Sequence, residues 1–198
     1  MTQPRMFPVW DELYRTGAVE SLPWYWPAID PDLDSALVQH GIKSGRVLDL
    51  GTGPGTQALA LAERGFDVTA SDLSAAAIAY VERQATARGV RVNVVVDDIL
   101  ATKLKGPFDV IFDRGCFHVL PPERRDEYAR TVLGLLSPNG WLFLKTFSHL
   151  QPGEQGPYRF KPEDIRRYFG PRAKDIRDTV YHGTLDPFPK ALFSSILG

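Results

Sequence analysis

The sequence predicts a single α/β domain organised around a mostly parallel β-sheet. From residue 46 onward, runs of apolar and β-branched residues alternate with segments of helical periodicity, which is typical of strands joined through covering helices. The chain has 198 residues, a length that one hydrophobic core commonly supports, and no repeat or linker divides it. We therefore expect residues 1–198 to form one domain, with residues 1–41 contributing an aromatic-rich N-terminal lid and a lead-in helix.

The N-terminal segment lacks a long periodic pattern and is rich in proline and aromatic residues. The aromatic residues are Trp10, Tyr14, Trp24, Tyr25 and Trp26. They fit a lid, although a patch of the core or a dimer contact would have the same composition. After this segment, Asp30 and Pro31 form the pattern of an N-cap followed by proline, and Gly41 supplies a stop. The sequence predicts a short helix between them.

The first part of the core has the order strand, glycine loop, helix, strand. Its elements are RVLDL from residue 46, GTGPGT, a helix over roughly 56–64 and FDVTAS. Ser74 is placed to cap a second helix that ends near Gly89, and the β-branched run VRVNVVV follows it. This order predicts consecutive βαβ units.

The second part of the core continues the alternation with the strand FDVIFD, a helix over roughly 122–136, a turn at 137–140 and the strand WLFLKTF. A short helix over roughly 162–169 then precedes the strand-like segments IRDTVYH and KALFSSIL. Their short connection permits an antiparallel hairpin at the edge of the sheet. Five strands alternating with helices imply a parallel sheet that is covered on both faces.

The composition argues against several classes of function. A net charge of -1, with basic and acidic residues interspersed, provides no basic stripe, so we expect no nucleic-acid partner. No apolar run approaches the roughly 20 residues of a membrane-spanning helix, so we expect no membrane association. The N-terminus lacks a secretory pattern and the lone Cys116 suits a reducing compartment. We expect a cytoplasmic protein that is a monomer or a homodimer.

A glycine-rich loop lies between the first strand and the first core helix. Gly51, Gly53 and Gly55 allow a ligand to approach backbone amides at a helix N-terminus, which indicates a nucleotide-like cofactor. The fingerprint for NAD needs G-x-G-x-x-G or a variant that ends in alanine. Here the third glycine comes one residue early and Thr56 stands in the expected position, so the match to NAD is poor.

Three acids accompany the loop in a fixed order. Asp49 would repel a pyrophosphate and attract an ammonium, such as that of S-adenosylmethionine, unless it only caps the amides of the loop. At the end of the second strand, Asp72 is positioned to accept hydrogen bonds from ribose hydroxyls, with Leu73 beside it. After the third strand, Asp98 and Ile99 are expected at the adenine, whose amino group can donate to the carboxylate. The neighbouring Asp97 is expected to be solvated.

VLDLGTGPGT, Asp72 and VVDDI resemble the consecutive cofactor motifs of class I S-adenosylmethionine-dependent methyltransferases. The resemblance covers about residues 45–198. It implies S-adenosyl-L-methionine as cofactor and a Rossmann-like domain. Its sheet would have seven strands in the order 3-2-1-4-5-7-6, with strand 7 antiparallel, and the predicted hairpin fits this topology.

Three other segments resemble the thiopurine methyltransferase family and its thiol, halide and tellurite relatives: WDELYRTG, FDRG and GPYRFKPEDIRRYFG. That resemblance implies that Trp10 covers the cofactor, with Tyr14 as a second lid aromatic, and that Arg114 faces the acceptor. Thiol and halide members continue Pro-Trp with an aspartate and a glycine, whereas Trp24 is followed here by Tyr25 and Trp26. The size and charge of the acceptor therefore stay open.

The stretch DRGCFH follows the fourth strand, where ligands bind in open α/β sheets. Arg114 is placed to orient an anionic acceptor, or it is paired structurally with Asp113 or Glu123. Cys116 and His118 do not form a nucleophilic pair, because residues at i and i+2 do not face each other on a helix. Cys116 is interpreted as a small buried residue. His118 is either a base for a protonated acceptor or a plain hydrogen-bonded histidine.

The predicted function is methyl transfer from S-adenosylmethionine to a small-molecule acceptor by in-line displacement. A sulfur acceptor is favoured, because a thiol with a pKa near ~8.5 is already partly ionised and needs only a nearby positive charge. The alternatives are an O-methyltransferase, which would need a base, and a protein that binds the cofactor without turnover. Tyr158 and Arg159 are weaker candidates for contact with the acceptor. No metal site is expected, since the remaining histidines lie far apart.

Overall fold

The computed structural model describes residue 5 and residues 7–198. Residues 1–4 and 6 of the predicted lid segment lie outside the described residues. The helices are α1 (Trp10–Thr16), α2 (Pro31–Gln39), α3 (Thr56–Glu63), α4 (Ala75–Arg88), α5 (Arg125–Leu135) and α6 (Pro162–Phe169). The strands are β1 (Arg46–Leu50), β2 (Asp67–Asp72), β3 (Asn93–Val96), β4 (Phe108–Asp113), β5 (Leu136–Ser148), β6 (Arg159–Phe160), β7 (Ala173–Val180) and β8 (Lys190–Leu197).

The sheet has the order β3-β2-β1-β4-β5-β8-β7, and β8 runs antiparallel to both of its neighbours. This confirms the predicted topology, including the hairpin at the edge. The difference is one additional strand, because β6 pairs in parallel with the end of β5. The sheet therefore has eight strands rather than the seven expected. β6 was not predicted because a segment of two residues is too short to show a strand pattern.

Side chains of the central strands are buried on both faces of the sheet. Val47 and Leu48 of β1 are both 0% exposed, yet they belong to different hydrophobic clusters because successive residues point to opposite faces. α5 and α6 cover the face that contains Leu48, and α2 and α3 cover the face that contains Val47. The apolar runs read from the sequence are therefore those of a parallel sheet enclosed by helices.

Two helices differ from the sequence prediction. The helix expected from residue 122 begins as a 3-10 turn over Pro122–Arg124 and becomes α-helical at Arg125. In addition, α1 was not predicted, because seven residues are too few to show a periodic pattern. No helix in the described part of the chain is long and apolar enough to cross a membrane.

Candidate active site

Asp49 lies on β1 and is 3% exposed. Its Oδ2 accepts hydrogen bonds from Thr52 Oγ1 at 2.6 Å and from the Ala58 amide at 3.1 Å. The carboxylate therefore stabilises the glycine loop, which agrees with the alternative that Asp49 caps the amides of this loop. Both bonds go to the same oxygen, so Oδ1 has no partner among the residues that the structure describes. Burial raises the pKa of Asp49 to about 6, which makes its charge costly until an ammonium is placed beside it.

The glycine loop is fixed to the end of β2. The Thr52 amide donates to the carbonyl of Ser71 at 2.9 Å, and the Gly53 amide donates to Asp72 Oδ2 at 2.9 Å. Gly51, Gly53 and Gly55 all have positive φ angles. At Gly53, with φ of +51°, an added Cβ would also lie 2.5 Å from the Tyr14 hydroxyl. Glycine is thus required both by the loop and by the aromatic ring that lies over it.

Asp72 stands at the carboxyl end of β2, as predicted. One carboxylate oxygen accepts from Gly53 and the other accepts from the Ser74 amide at 2.8 Å. Each oxygen has a second lone pair, so the group retains capacity for two further donors. Leu73 follows it with 61% of its surface exposed, so its apolar side chain is open to a ligand at the end of this strand.

Asp98 is exposed and accepts from the Leu100 amide at 2.9 Å, which begins a 3-10 turn at Ile99. The side chain of Ile99 is 5% exposed and packs in the core, so a contact with a ligand is left to its backbone. Asp97 was expected to be solvated, and it is half-buried and hydrogen-bonded within its own loop. Its carboxylate accepts from Thr102 Oγ1 at 2.5 Å and from the Lys103 amide at 2.9 Å.

Two aromatic residues of the predicted lid, Tyr14 and Trp24, lie against the glycine loop at Gly53. Tyr14 is 9% exposed, and its hydroxyl accepts from Trp24 Nε1 at 2.9 Å. The ring of Trp10 meets that of Trp24 edge-on, with the centroids 5.8 Å apart. α1 is thereby brought to the part of the sheet edge that carries Gly53.

Asp11 was missed by the sequence analysis. Its Oδ1 accepts from the Ala76 amide at 2.8 Å and from Ser74 Oγ at 3.1 Å, at the N-terminus of α4. The bond from the Ala76 amide holds the pKa of Asp11 below its ordinary value, although partial desolvation opposes this. Asp11 and Ala76 are 65 positions apart, so no local pattern pointed to the contact. It anchors the lid helix beside Asp72.

Arg114 lies at the carboxyl edge as predicted, but all parts of its guanidinium have protein partners. Its Nε donates to Asp30 Oδ2 at 3.0 Å, its Nη1 to the carbonyl of Trp24 at 2.9 Å, and its Nη2 to the carbonyl of His182. The group also lies 4.4 Å above the ring of Tyr181. A structural partner was one of the two alternatives, but the partner is Asp30 rather than Asp113 or Glu123.

A buried network of charges extends from Arg114 and was also missed. Lys145 is 0% exposed and donates to both oxygens of Asp30, at 2.9 and 2.8 Å, and approaches Asp32 Oδ2 to 2.7 Å. Burial alone would raise the pKa of Asp30, but Lys145 and Arg114 outweigh it and hold the pKa below its ordinary value. The available signal was the lysine inside the apolar strand WLFLKTF, since a buried charge needs a partner.

The rest of DRGCFH is organised around Asp113. Its carboxylate accepts from the amides of Gly115, Cys116 and Phe117 at 2.9, 2.7 and 2.9 Å, and from the hydroxyl of Tyr128. Burial raises the pKa of the Cys116 thiol well above its ordinary value, so this residue holds no ready thiolate. Cys116 packs against Gly51 but is only half-buried, so the interpretation as a small buried residue is met in part.

His118 is 4% exposed, and its Nδ1 accepts from the Phe147 amide at 3.3 Å. Burial, followed by the charges of Arg114, Arg159 and Arg125, lowers its pKa to about 3. Such an imidazole is neutral at physiological pH and is a weak base. This favours the plain hydrogen-bonded histidine over the role of base that the sequence analysis kept open.

Tyr158 and Arg159 are held beside His118 by the loop that follows β5. The Tyr158 amide donates to the carbonyl of His118 at 2.8 Å, and the guanidinium of Arg125 lies 4.6 Å from the Tyr158 ring. Arg159 Nη1 donates to the carbonyl of Pro157 at 2.6 Å, whereas its Nε is buried without a partner among the described residues. This side of the site is therefore aromatic and positively charged.

A methyltransferase domain family matches residues 47–140. The 2-heptyl-1-hydroxyquinolin-4(1H)-one methyltransferase of Mycobacteroides abscessus is 30% identical over 167 residues, which are 80% of this chain and 73% of that protein. The thiopurine S-methyltransferase of Vibrio cholerae is 35% identical over 80 residues, but this is only 40% of the chain and 36% of the relative. That match is too short to assign the chain to the thiopurine group.

Solved structures extend the similarity to nearly the whole chain. One, from work on the conversion of a disulfide bond into a thioacetal group during echinomycin biosynthesis, has a TM-score of 0.81 and 25% identity over 96% of this chain and 90% of that one. The 1,6-didemethyltoxoflavin N1-methyltransferase of Burkholderia thailandensis, solved with S-adenosylhomocysteine, shares the fold with a TM-score of 0.69 and 20% identity over 94% of this chain and 80% of that one. Together with the relative matched over most of its length, these findings show that the chain belongs to the class I S-adenosylmethionine-dependent methyltransferases.

Proposed function

We propose that this enzyme transfers the methyl group of S-adenosylmethionine to a small molecule by in-line displacement, with a sulfur acceptor favoured. The observation that carries the proposal is the arrangement of Asp49, the glycine loop and Asp72 at one edge of the sheet. Asp49 is buried and offers an oxygen that has no partner among the described residues, and Asp72 offers two lone pairs beside a cradle that a single Cβ at Gly53 would fill. These groups fit an ammonium and a ribose.

Each part of the cofactor would be held by a different set of residues. Asp49 Oδ1 receives the ammonium, the amides of the Gly51–Gly55 loop line the amino-acid portion, and Asp72 accepts from the ribose hydroxyls. The exposed side chain of Leu73 supplies an apolar surface for the adenine, and Asp98 with the backbone of Ile99 borders its amino group. Trp10 and Tyr14 cover the sulfonium, to which aromatic faces are attracted. When bound, the cofactor supplies an electrophilic methyl group.

The acceptor would enter between the loop after β4 and the aromatic segment that Arg114 secures. In this proposal Arg114 is a positioning residue, because its bonds to the carbonyls of Trp24 and His182 fix two walls of that space. Exclusion of water and alignment are the main requirements of displacement at a sulfonium. A thiol needs no base, which agrees with the weak basicity of His118.

An oxygen acceptor is the second candidate. The relative matched over most of its length carries the name of a methyltransferase for a hydroxyquinolone, and such a hydroxyl is an oxygen acceptor. The shorter match to a thiopurine S-methyltransferase supports sulfur. A screen of thiols, halides, acidic hydroxyl compounds and carboxylic acids with radiolabelled S-adenosylmethionine separates the two. Methylation of oxygen acceptors alone would contradict the preference for sulfur.

Calorimetry tests the cofactor site directly. S-Adenosylhomocysteine should bind and NADH should not. Asp72→Asn should weaken binding by about 1.5–3 kcal/mol, the contribution expected from hydrogen bonds to a charged group. Asp67→Asn, at the exposed opposite end of β2, is the matched control and should leave the affinity unchanged. Equal affinities for the two variants would remove Asp72 from the site.

A further inference from the structure

We propose that the acceptor binds as its anion, with the imidazole of His118 as a hydrogen-bond donor to the reacting atom and no residue acting as its base. The inference rests on the proposed function and names the substrate class of the same site. The acceptors are compounds with a weakly acidic S–H, N–H or O–H group that ionises in water near neutral pH. Alcohols that stay protonated are excluded.

The tautomer of His118 follows from its backbone partner. Because Nδ1 accepts from the Phe147 amide, the ring proton is on Nε2. Nε2 has no hydrogen-bond partner in the described part of the chain, and this atom is not fully shielded from solvent. It lies beside Gly115, where an added Cβ would be 3.9 Å from Nε2 and 3.6 Å from the Tyr181 hydroxyl. Apart from the chain neighbours of Gly115, no other atom lies within 4 Å of that position, so the space beside Gly115 is an opening bordered by the Nε2–H donor and the Tyr181 hydroxyl.

The charges around this opening favour an anion. Arg114, Arg125 and Arg159 lie near His118 on three separate segments, and their charges add to burial in keeping the ring neutral. Arg125 is 8% exposed, donates from Nε to the carbonyl of Leu120, and has a buried Nη2 without a partner in the described chain. A buried guanidinium that has no carboxylate partner among the described residues, as that of Arg125, raises the electrostatic potential of the site and lowers the pKa of a bound acid.

The other titratable groups that face this opening do not accept a proton readily. Burial raises the pKa of Asp113, but each of its carboxylate oxygens already accepts two hydrogen bonds, so no lone pair is free to take a proton from the acceptor. Asp30 is held by Lys145 and Arg114. The Tyr181 hydroxyl donates to the carbonyl of Arg114, and burial raises its pKa to about 12. Burial also lowers the pKa of His182, whose ring packs against Trp26.

The reaction then balances without an enzyme base. The acceptor loses its proton to water before it binds. Its anionic atom forms a bond to the methyl carbon while the bond from that carbon to the sulfonium breaks, and the electron pair of the broken bond stays on the cofactor's sulfur. The products are the methylated acceptor and S-adenosylhomocysteine, and the Nε2–H of His118 is neither gained nor lost.

The test is the pH dependence of kcat/KM for two thiols whose own pKa values differ, a thiophenol and an alkyl thiol, with the wild-type enzyme. The rising limb of each profile should follow the pKa of that thiol, with a fall of about tenfold per pH unit below it. An acidic hydroxyl compound is the third arm and should behave in the same way if oxygen is accepted. A rising limb that lies at the same pH for all acceptors, whatever their own pKa values, would overturn the inference. Methylation of a protonated alcohol alone would also overturn it.

Variants of His118 supply an independent readout. His118→Met removes the donor and should lower kcat/KM by about ten- to a hundredfold, the effect of one hydrogen bond to a charged atom. His118→Gln keeps an N–H at a similar position and should recover part of the loss with an unmoved pH profile. Equal losses in both folded variants would contradict the donor role. If neither variant folds, the wild-type profiles decide.

Calorimetry separates this inference from the proposed function. Binding of S-adenosylhomocysteine without methylation of any ionised acceptor would reject the anionic subsite and leave the cofactor site intact. Failure of S-adenosylhomocysteine to bind would instead reject the proposed function.

Discussion

Two parts of the site, its cofactor side and its roof, are stabilised by hydrogen bonds that span very different distances along the chain. The roof is the buried network in which Arg114 and Lys145 hold Asp30 and the carbonyls of Trp24 and His182. On the cofactor side, the bonds of Asp49, Gly53 and Asp72 join residues that are 2 to 19 positions apart. In the roof, the bonds of Arg114 and Lys145 join residues that are 68 to 115 positions apart. The first region is a local consequence of strand, loop and helix, whereas the second exists only when distant segments have packed.

The largest effect should follow from breaking the roof network. Lys145→Met leaves the carboxylates of Asp30 and Asp32 buried without their shared ammonium, so we expect the free energy of unfolding to fall by about 3–5 kcal/mol. Urea denaturation of the ligand-free enzyme measures this loss.

Arg64→Met is the matched control, because it removes the cation from the pair with Asp34, in which both side chains are 42% exposed. Such a surface pair should contribute no more than about 1 kcal/mol. Similar losses in the two variants would mean that the buried network contributes no more than an ordinary surface contact.

The second effect concerns the cofactor side and has opposite signs for stability and binding. Asp49→Asn preserves both protein bonds, since one amide oxygen can replace Oδ2, and it removes a buried charge. We expect the ligand-free variant to be more stable at pH 7 by up to about 3 kcal/mol, the difference between a folded pKa of about 6 and an unfolded value near 3.9. Its affinity for S-adenosylhomocysteine should fall because the ammonium loses its partner.

The pH dependence supplies the control for Asp49→Asn. A carboxyl whose folded pKa is raised contributes full stability below its unfolded pKa, and this stability is lost as the pH rises through about 6. The advantage of the variant, measured by urea denaturation, should therefore disappear near pH 4. A stability difference that does not change with pH would show that the charge of Asp49 is not its cause.

The same contrast explains what the sequence could predict. The order of the strands came from the resemblance to class I methyltransferases. The positions of Asp49 and Asp72 were predictable from the residues, because the carboxyl ends of parallel strands meet at one edge and the glycine loop marks which edge is used. The pairing of Arg114 with Asp30 was not predictable, since one sequence offers many carboxylates and no rule of spacing selects among them. Lys145 gave the one usable signal, but it indicated a partner without identifying it.

The smallest expected effect is at the point where the lid meets the cofactor side. Asp11→Asn removes the charge that faces the N-terminus of α4 but leaves an oxygen to accept from Ala76, so global stability should be nearly unchanged. The lid should open more often, and S-adenosylhomocysteine should dissociate faster in a stopped-flow experiment that follows tryptophan fluorescence, because Trp10 and Trp24 lie in the lid contact. Glu12→Gln removes the same charge from an exposed position of the same helix and is the matched control. Equal dissociation rates for the two variants would mean that the lid is held by its aromatic packing alone, and that Asp11 only completes the first turn of α4.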